Sequence, residues 1–345
     1  MNLKEQVFAL SAAAGPSGRE GEAAELGAAL LAPLTDYVER DILGNVIGWR
    51  KSSHKNAKTL LLDAHLDEVA LTVTGQENGF LCFAQCQGTI DPRILPGLRV
   101  RILGRKPFDG IITCLPPHVL TAEEKEQPFA LDKLRIDTGL SAVEAAELAP
   151  PGTSVIYRTA PFLLGKHRIC GKSLDNRSCF AVLLQAAALL KGQDIPLNVC
   201  FVGSVQEESG LTGIRTAAYM AAPDYALVLD TTFGRTPDTP EEEAFPLGCG
   251  PVIGIGPILN RRLTTNLMAC AQRMAIPFER ELSIRSTGTN ATQTQISRTG
   301  VPTMQLSVPL QYMHTPAEVV DLRDLELAAR LTAEFILSAG EGAMA

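Results

Sequence analysis

Apolar positions along the chain fall into two textures. In the first, short apolar runs alternate with stretches of helical spacing. A helix is expected before Gly15-Pro16-Ser17-Gly18, and a second helical stretch runs from Arg19 to Leu34. Strand-like segments follow around Val38–Asp41, Val46–Arg50 and Thr59–Asp63. Leu60-Leu61-Leu62 is continuously apolar, as in a strand buried on both faces, and it leads into Asp63-Ala64-His65-Leu66-Asp67. Polar residues directly after such a strand belong at the ligand-binding edge of an α/β sheet.

The second texture occupies residues 70–163. Short alternating segments such as Leu98-Arg99-Val100-Arg101-Ile102-Leu103 sit between Gly, Pro and Asp turns, with helical spacing only at Leu140–Leu148. This pattern predicts a small β-rich module. After Lys166 the first texture resumes. Strands are expected at Leu197–Val205, Tyr225–Leu229, Val252–Gly256, Phe278–Ser283 and Pro302–Val308, with helices at Arg177–Leu190, Gly213–Ala221, Arg262–Met274 and Val320–Ser338. In the last helix Leu325, Ala328, Leu331 and Phe335 share one face and read as core packing. The predicted architecture is an α/β domain made of residues 1–69 and 164–345, interrupted by a β-rich insert at 70–163.

Composition narrows the class of function. Hydrophobic residues make up 46% and charged residues 20% of the 345 positions, enough for a large core. A net charge of −7 and a pI near 5.4 argue against the clustered basic surface that nucleic acid or an anionic membrane requires. No apolar run reaches the roughly 18 residues that would span a bilayer. The segment Val7–Ala14 has a faint likeness to a secretion signal, but Glu5 and Gln6 stand where basic residues belong, so an amphipathic first helix is expected. The eight cysteines form no Cys-x-x-Cys pair, and several lie in apolar segments. They read as free thiols, and the expected location is cytoplasmic.

Five features could carry chemistry. His65-x-Asp67 follows a buried strand, and an imidazole oriented by a carboxylate is a good divalent-metal ligand. Asp175 precedes a long helix, either as an N-cap or as a carboxylate free to bridge two cations. Glu207-Glu208 closes the strand Val199–Val205. Adjacent carboxylates there are a solvated turn, or a metal ligand beside a general base. Asp230 ends another strand, and His314 follows the strand Met304–Val308. Each is weak alone. Together, two histidines and three carboxylates at strand ends or a helix start suit a two-metal site with nitrogen and oxygen ligands. Zinc is the first candidate, and cobalt or manganese also fits.

The same stretches resemble the family-42 metallo-aminopeptidases, which include glutamyl aminopeptidases and self-compartmentalising tetrahedral aminopeptidases. The matching segments run nearly the whole length of the chain in the family's order: Gly15–Gly18, Asp63–Val69, Gly171–Arg177, Gln206–Leu211, Gly288–Ala291, Gly300–Thr303 and Tyr312–Pro316. The resemblance implies that His65 and Asp230 lie on different metals, that Asp175 bridges them, and that Glu208 and His314 complete the shells. It makes Asp67 the group that orients His65 and Glu207 the general base. It further implies peptide substrates with a free N-terminus, a zinc-peptidase-like mixed sheet with flanking helices, and a β-barrel-like insert used to build a homo-oligomer, a dodecamer built from dimers. Four positions depart from the family pattern. Asn290 stands for a common Asp, Gln311 for a common Arg, and Ser178-Cys179 for smaller residues. The first two bear on the substrate pocket rather than on the ligands.

Rival readings are a dinuclear metal deacylase or carboxypeptidase on the same core, and, more remotely, an endoglucanase. The last needs two carboxylates and no histidine, and aromatics at 5% leave little material for stacking on sugars.

Overall fold

Strand alternation creates two differently furnished faces on one large sheet. The computed structural model describes residues 1–127, 129–237 and 239–341. Along the central strands, Leu60, Leu62, Ala64, Val199, Phe201, Leu227, Leu229, Leu306 and Val308 point into the main core. There they meet the helices Leu3–Ala12, Leu174–Leu190 and Leu322–Leu337. The intervening residues Leu61, Cys200, Val202 and Ala226 pack on the opposite face against Ile214, Ala217 and Ala218 of the helix Gly213–Ala221. Helices on both faces of a mixed sheet are the α/β architecture that the sequence pattern predicts.

Among the described residues the sheet has eleven strands. From one edge its order is Tyr37–Arg40, Val46–Arg50, Asn198–Ser204, Thr59–His65, Tyr225–Phe233, Thr303–Gln311, Glu318–Asp321, Arg168–Gly171 and Phe162–Leu164. Val252–Ile255 joins Thr303–Gln311, and Glu279–Leu282 pairs with Val252–Ile255. The four central strands, Asn198–Ser204, Thr59–His65, Tyr225–Phe233 and Thr303–Gln311, are mutually parallel, so their C-terminal ends share one edge. Register places Ser204 opposite His65 and Val228 opposite Asp63, which brings Asp230 level with His65.

Elements differ from the sequence expectation at several ends: Tyr225–Phe233 and Thr303–Gln311 run past the expected Leu229 and Val308, and the long helix starts at Leu174 rather than Arg177. The strand beginning at Thr59 continues to His65, because pairing with Asn198–Ser204 persists to its end. The helix expected from Val320 begins instead at Leu322, where Asp321 caps it by accepting from the Arg323 amide. Glu318–Asp321 is a strand between Thr303–Gln311 and Arg168–Gly171. Its two adjacent valines favour that role, and no turn separates it from the helix to announce it.

The chain divides into two compact units. One comprises Met1–Asp67, Pro161–Met313 and the chain from Ala317 onward; the other comprises Glu68–Ala160 and His314–Pro316. The second unit is a closed barrel in the order Ala70–Glu77, Phe80–Gln87, Arg135–Asp137, Pro107–Thr113, Arg99–Leu103 and Ser154–Tyr157. Leu71, Val73, Leu81, Val100, Ile102, Ile112, Ile136 and Val155 fill it. Among the described residues no helix is long and apolar enough to cross a membrane, and the eight cysteines are free thiols.

Candidate metal centre

The sheet face opposite the main core turns polar toward the shared C-terminal edge. Alternation that buries Leu61 and Cys200 there also presents Asp63, His65, Ser204 and Asp230 on that face. His65 and Asp230 therefore arrive as neighbours on adjacent strands.

Asp175 comes from the helix start that follows Gly171–Ser173. Ser173, at φ +57°, stands at the cap position, and Asp175 keeps an extended backbone (φ −77°, ψ 108°) with a cis peptide to Asn176. Its expected alternative role as N-cap is thus filled by another residue. The Leu174 and Asp175 amides both donate to Glu318 Oε2, at 2.6 and 3.1 Å. Asn176 Nδ2 donates to the Leu229 carbonyl beside Asp230, at 2.8 Å. Arg177, fully buried, donates to the carbonyls of Leu66, Leu10 and Ala13. It so ties the helix start to the loop after His65 and to the end of the first helix.

Glu207 and Glu208 are aimed by Asp67. Gln206 adopts φ +56°, which turns the chain out of the strand direction. The amides of Glu207 and Glu208 then donate to Asp67 Oδ1 and Oδ2, each at 3.0 Å. The turn is gripped from the other side by Glu20, whose Oε1 accepts from the Gln206 amide at 3.1 Å and from the Gly18 amide at 2.6 Å. Gly18 has φ +83°, and a Cβ on Gly15 would lie 2.6 Å from the Arg177 guanidinium. These two glycines explain the Gly-Pro-Ser-Gly segment, which serves as a clamp on the Glu207-Glu208 turn.

His65 Nε2 lies 3.3 Å from Asp175 Oδ1, 3.9 Å from Glu207 Oε2 and 4.0 Å from Asp230 Oδ1. Its Nδ1 lies 3.4 Å from Asp67 Oδ1. Burial opposes a charge on His65, yet Glu207, Asp175 and Asp67 outweigh it and raise the imidazole well above its ordinary pKa. Burial would also raise Asp67, but His65 and the two glutamate amides hold its carboxyl below the usual range. Burial pushes Glu207 up against the pull of His65, with help from Asp230 and Glu208. Burial likewise pushes up Asp230, with a contribution from Asp175. So many carboxylates around one imidazole cannot all ionise in a buried space unless cations join them.

The donor set fits such cations. His65, Glu207 and Asp230 offer ligand atoms within 4.8 Å of one another, and so do His65, Asp175 and Glu208. These two sets share His65, and one of them includes Glu207, so proximity alone does not divide the residues between two ions as the family resemblance does. His314 belongs to the barrel unit, where its Nδ1 lies 3.1 Å from the Thr89 carbonyl and its own carbonyl accepts from Tyr157 Oη at 3.2 Å.

Several contributors were not visible as motifs. Glu20 and Glu318 are buried carboxylates that each bind two backbone donors, and neither stands in a distinctive sequence context. Asn290, which replaces a common acid, is buried and donates to Asp63 Oδ2 at 2.8 Å and to Ser204 Oγ at 2.9 Å. Cys179 Sγ donates to the Asp230 carbonyl at 3.2 Å, and Gln311 Nε2 donates to the Arg235 carbonyl.

A buried histidine-carboxylate cluster at the C-terminal edge of a mixed α/β sheet offers a divalent metal nitrogen and oxygen donors. The chain belongs to the M42 glutamyl aminopeptidase family, whose model matches residues 44–331. A lysyl aminopeptidase of Pyrococcus furiosus is 34% identical over 88% of this chain and 87% of its own length. An aminopeptidase from the archaeon Desulfurococcus kamchatkensis superposes with a TM-score of 0.90 at 32% identity, covering 97% of this chain and 94% of its own. The TET1 peptidase of Pyrococcus horikoshii, which can assemble into a tetrahedron or a large octahedral shell, superposes with a TM-score of 0.85 at 28% identity. It covers 97% of this chain and 99% of its own. The protein is an aminopeptidase.

Proposed function

We propose that this aminopeptidase works through two divalent cations, removing one residue at a time from peptides with a free N-terminus. The observation that carries the reading is the pair of ligand sets meeting at His65, with Glu207 and Glu208 both held by Asp67. In this reading His65, Asp175, Glu208, Asp230 and His314 are the ligands, Asp175 bridges, and zinc is the first candidate, with cobalt or manganese accepted by the same donors. When bound, the cations supply the positive charge that makes water a competent nucleophile at neutral pH and polarises the scissile carbonyl.

Glu207 accepts a proton from the attacking water and delivers it to the leaving amine. Asp67 lies 3.4 Å from His65 Nδ1, close enough to orient the ring by charge, and through the two amides it holds both glutamates in place. The substrate's free α-amine meets the carboxylate of Glu207 or Asp230, which limits cleavage to the first peptide bond. Asp175→Ala should lose metal as well as activity, because removing a bridge opens both shells. Elemental analysis of the folded variant checks this, and full metal occupancy in it would refute the bridging role.

For assembly we propose a homo-oligomer, a dodecamer built from dimers, with the Glu68–Ala160 barrel as the associating module. The P. horikoshii peptidase that forms closed shells supports this. The free thiols support a reducing, cytoplasmic location. Light scattering should return a mass many times 36.9 kDa; a monomer at micromolar concentration would reject the assembly.

A further inference from the structure

The strand carrying Asp230 continues for three residues beyond it, and its next residue on the same face is Thr232. Thr232 is buried, and its Oγ1 donates to Glu281 Oε1 at 2.6 Å. Glu281 lies on the short strand Glu279–Leu282, reached from the main sheet through Val252–Ile255. Burial raises this carboxyl above its ordinary pKa, and only the Thr232 hydroxyl counters it. Among the described residues no Lys, Arg or His forms an ion pair with Glu281. A partly buried carboxylate with a hydroxyl for company and no counter-ion is incomplete as a purely structural element.

Its position gives it a use. Two residues of strand advance about 7 Å, so Thr232 lies about one side-chain length beyond Asp230, and the Glu281 carboxylate is hydrogen-bonded to its hydroxyl. If the α-amine of a peptide sits at the Glu207 and Asp230 end, as the reading above holds, the first side chain can run along this face toward Glu281. The four-carbon stem of lysine covers about 5–6 Å, and the arginine stem with its guanidinium covers slightly more. We infer that Glu281 selects the side chain of the N-terminal residue, and that the residue it favours is basic, lysine or arginine. A cationic tip completes the Glu281 carboxylate. A leucine tip leaves it desolvated and unpaired, and a glutamate tip meets a like charge.

The inference rests on the aminopeptidase reading, and one experiment separates the two. Metal-loaded wild-type enzyme and Glu281→Gln are assayed against lysyl, arginyl, leucyl and glutamyl chromogenic amides. Wild type should favour the two basic substrates in kcat/KM by at least about tenfold. Glu281→Gln should lower the lysyl-to-leucyl ratio by about 10- to 100-fold, chiefly through KM, the scale of one hydrogen bond to a charged group. Glu281→Lys should move the preference toward the glutamyl substrate. A wild-type preference for leucyl or glutamyl substrate would overturn the inference alone. So would a Glu281→Gln variant that slows all four substrates in proportion, because that marks a structural role. No hydrolysis of any of the four would reject the aminopeptidase reading, and the inference with it.

Discussion

Replacing Glu207 with glutamine should leave metal content unchanged and lower turnover by at least about two orders of magnitude, the usual scale for loss of a general base. The expectation follows from how the side chain is held. Its amide is fixed by Asp67, and its carboxylate reaches to 3.9 Å from His65 Nε2. Glutamine is nearly isosteric, keeps the amide contact and removes the proton acceptor. Because Glu207 also stands in a ligand set with His65 and Asp230, the same variant separates its two conceivable duties. A base alone gives an inactive enzyme with full metal; a ligand gives an inactive enzyme that has lost metal. Near-full activity in Glu207→Gln would remove Glu207 from the mechanism.

The second large effect concerns the free amino group. An aminopeptidase must distinguish an N-terminus from an internal peptide bond, and the clustered carboxylates of Glu207 and Asp230 can do so by charge. An acetyl cap removes the cation and adds bulk, leaving buried polar groups unpaired. Discrimination of about 10³-fold is expected, equivalent to about 4 kcal/mol at the transition state. A free pentapeptide should shorten one residue at a time from its N-terminal end under mass spectrometry, while its acetylated twin survives. A metal deacylase would prefer the capped peptide, and a carboxypeptidase would treat both alike.

Much of this could be read from the chain because buried parallel strands announce their ends. Leu60–Leu62 and Leu227–Leu229 are too apolar to be anything but central, so His65 and Asp230 had to emerge at the same edge once those strands became neighbours. The barrel strands were equally plain, since Arg99-Val100-Arg101-Ile102 alternates with the pleat and buries Val100 and Ile102. The supporting carboxylates were hidden for a different reason. Glu20 grips Gln206, and Glu318 grips Leu174 and Asp175, across separations that no local pattern encodes. Asp67 was expected to orient His65, but its hold on two consecutive amides depends on the left-handed turn at Gln206, and glutamine gives no sign of that conformation. The strand Glu318–Asp321 was missed because four residues running straight into a helix contain too few alternations to show a period of two.

The most direct test is the metal content of an active preparation, measured by elemental analysis alongside its activity before and after chelation. Two divalent ions per chain are expected, with activity lost on chelation and restored by zinc, cobalt or manganese. An active preparation that contains no transition metal would contradict the two-metal mechanism.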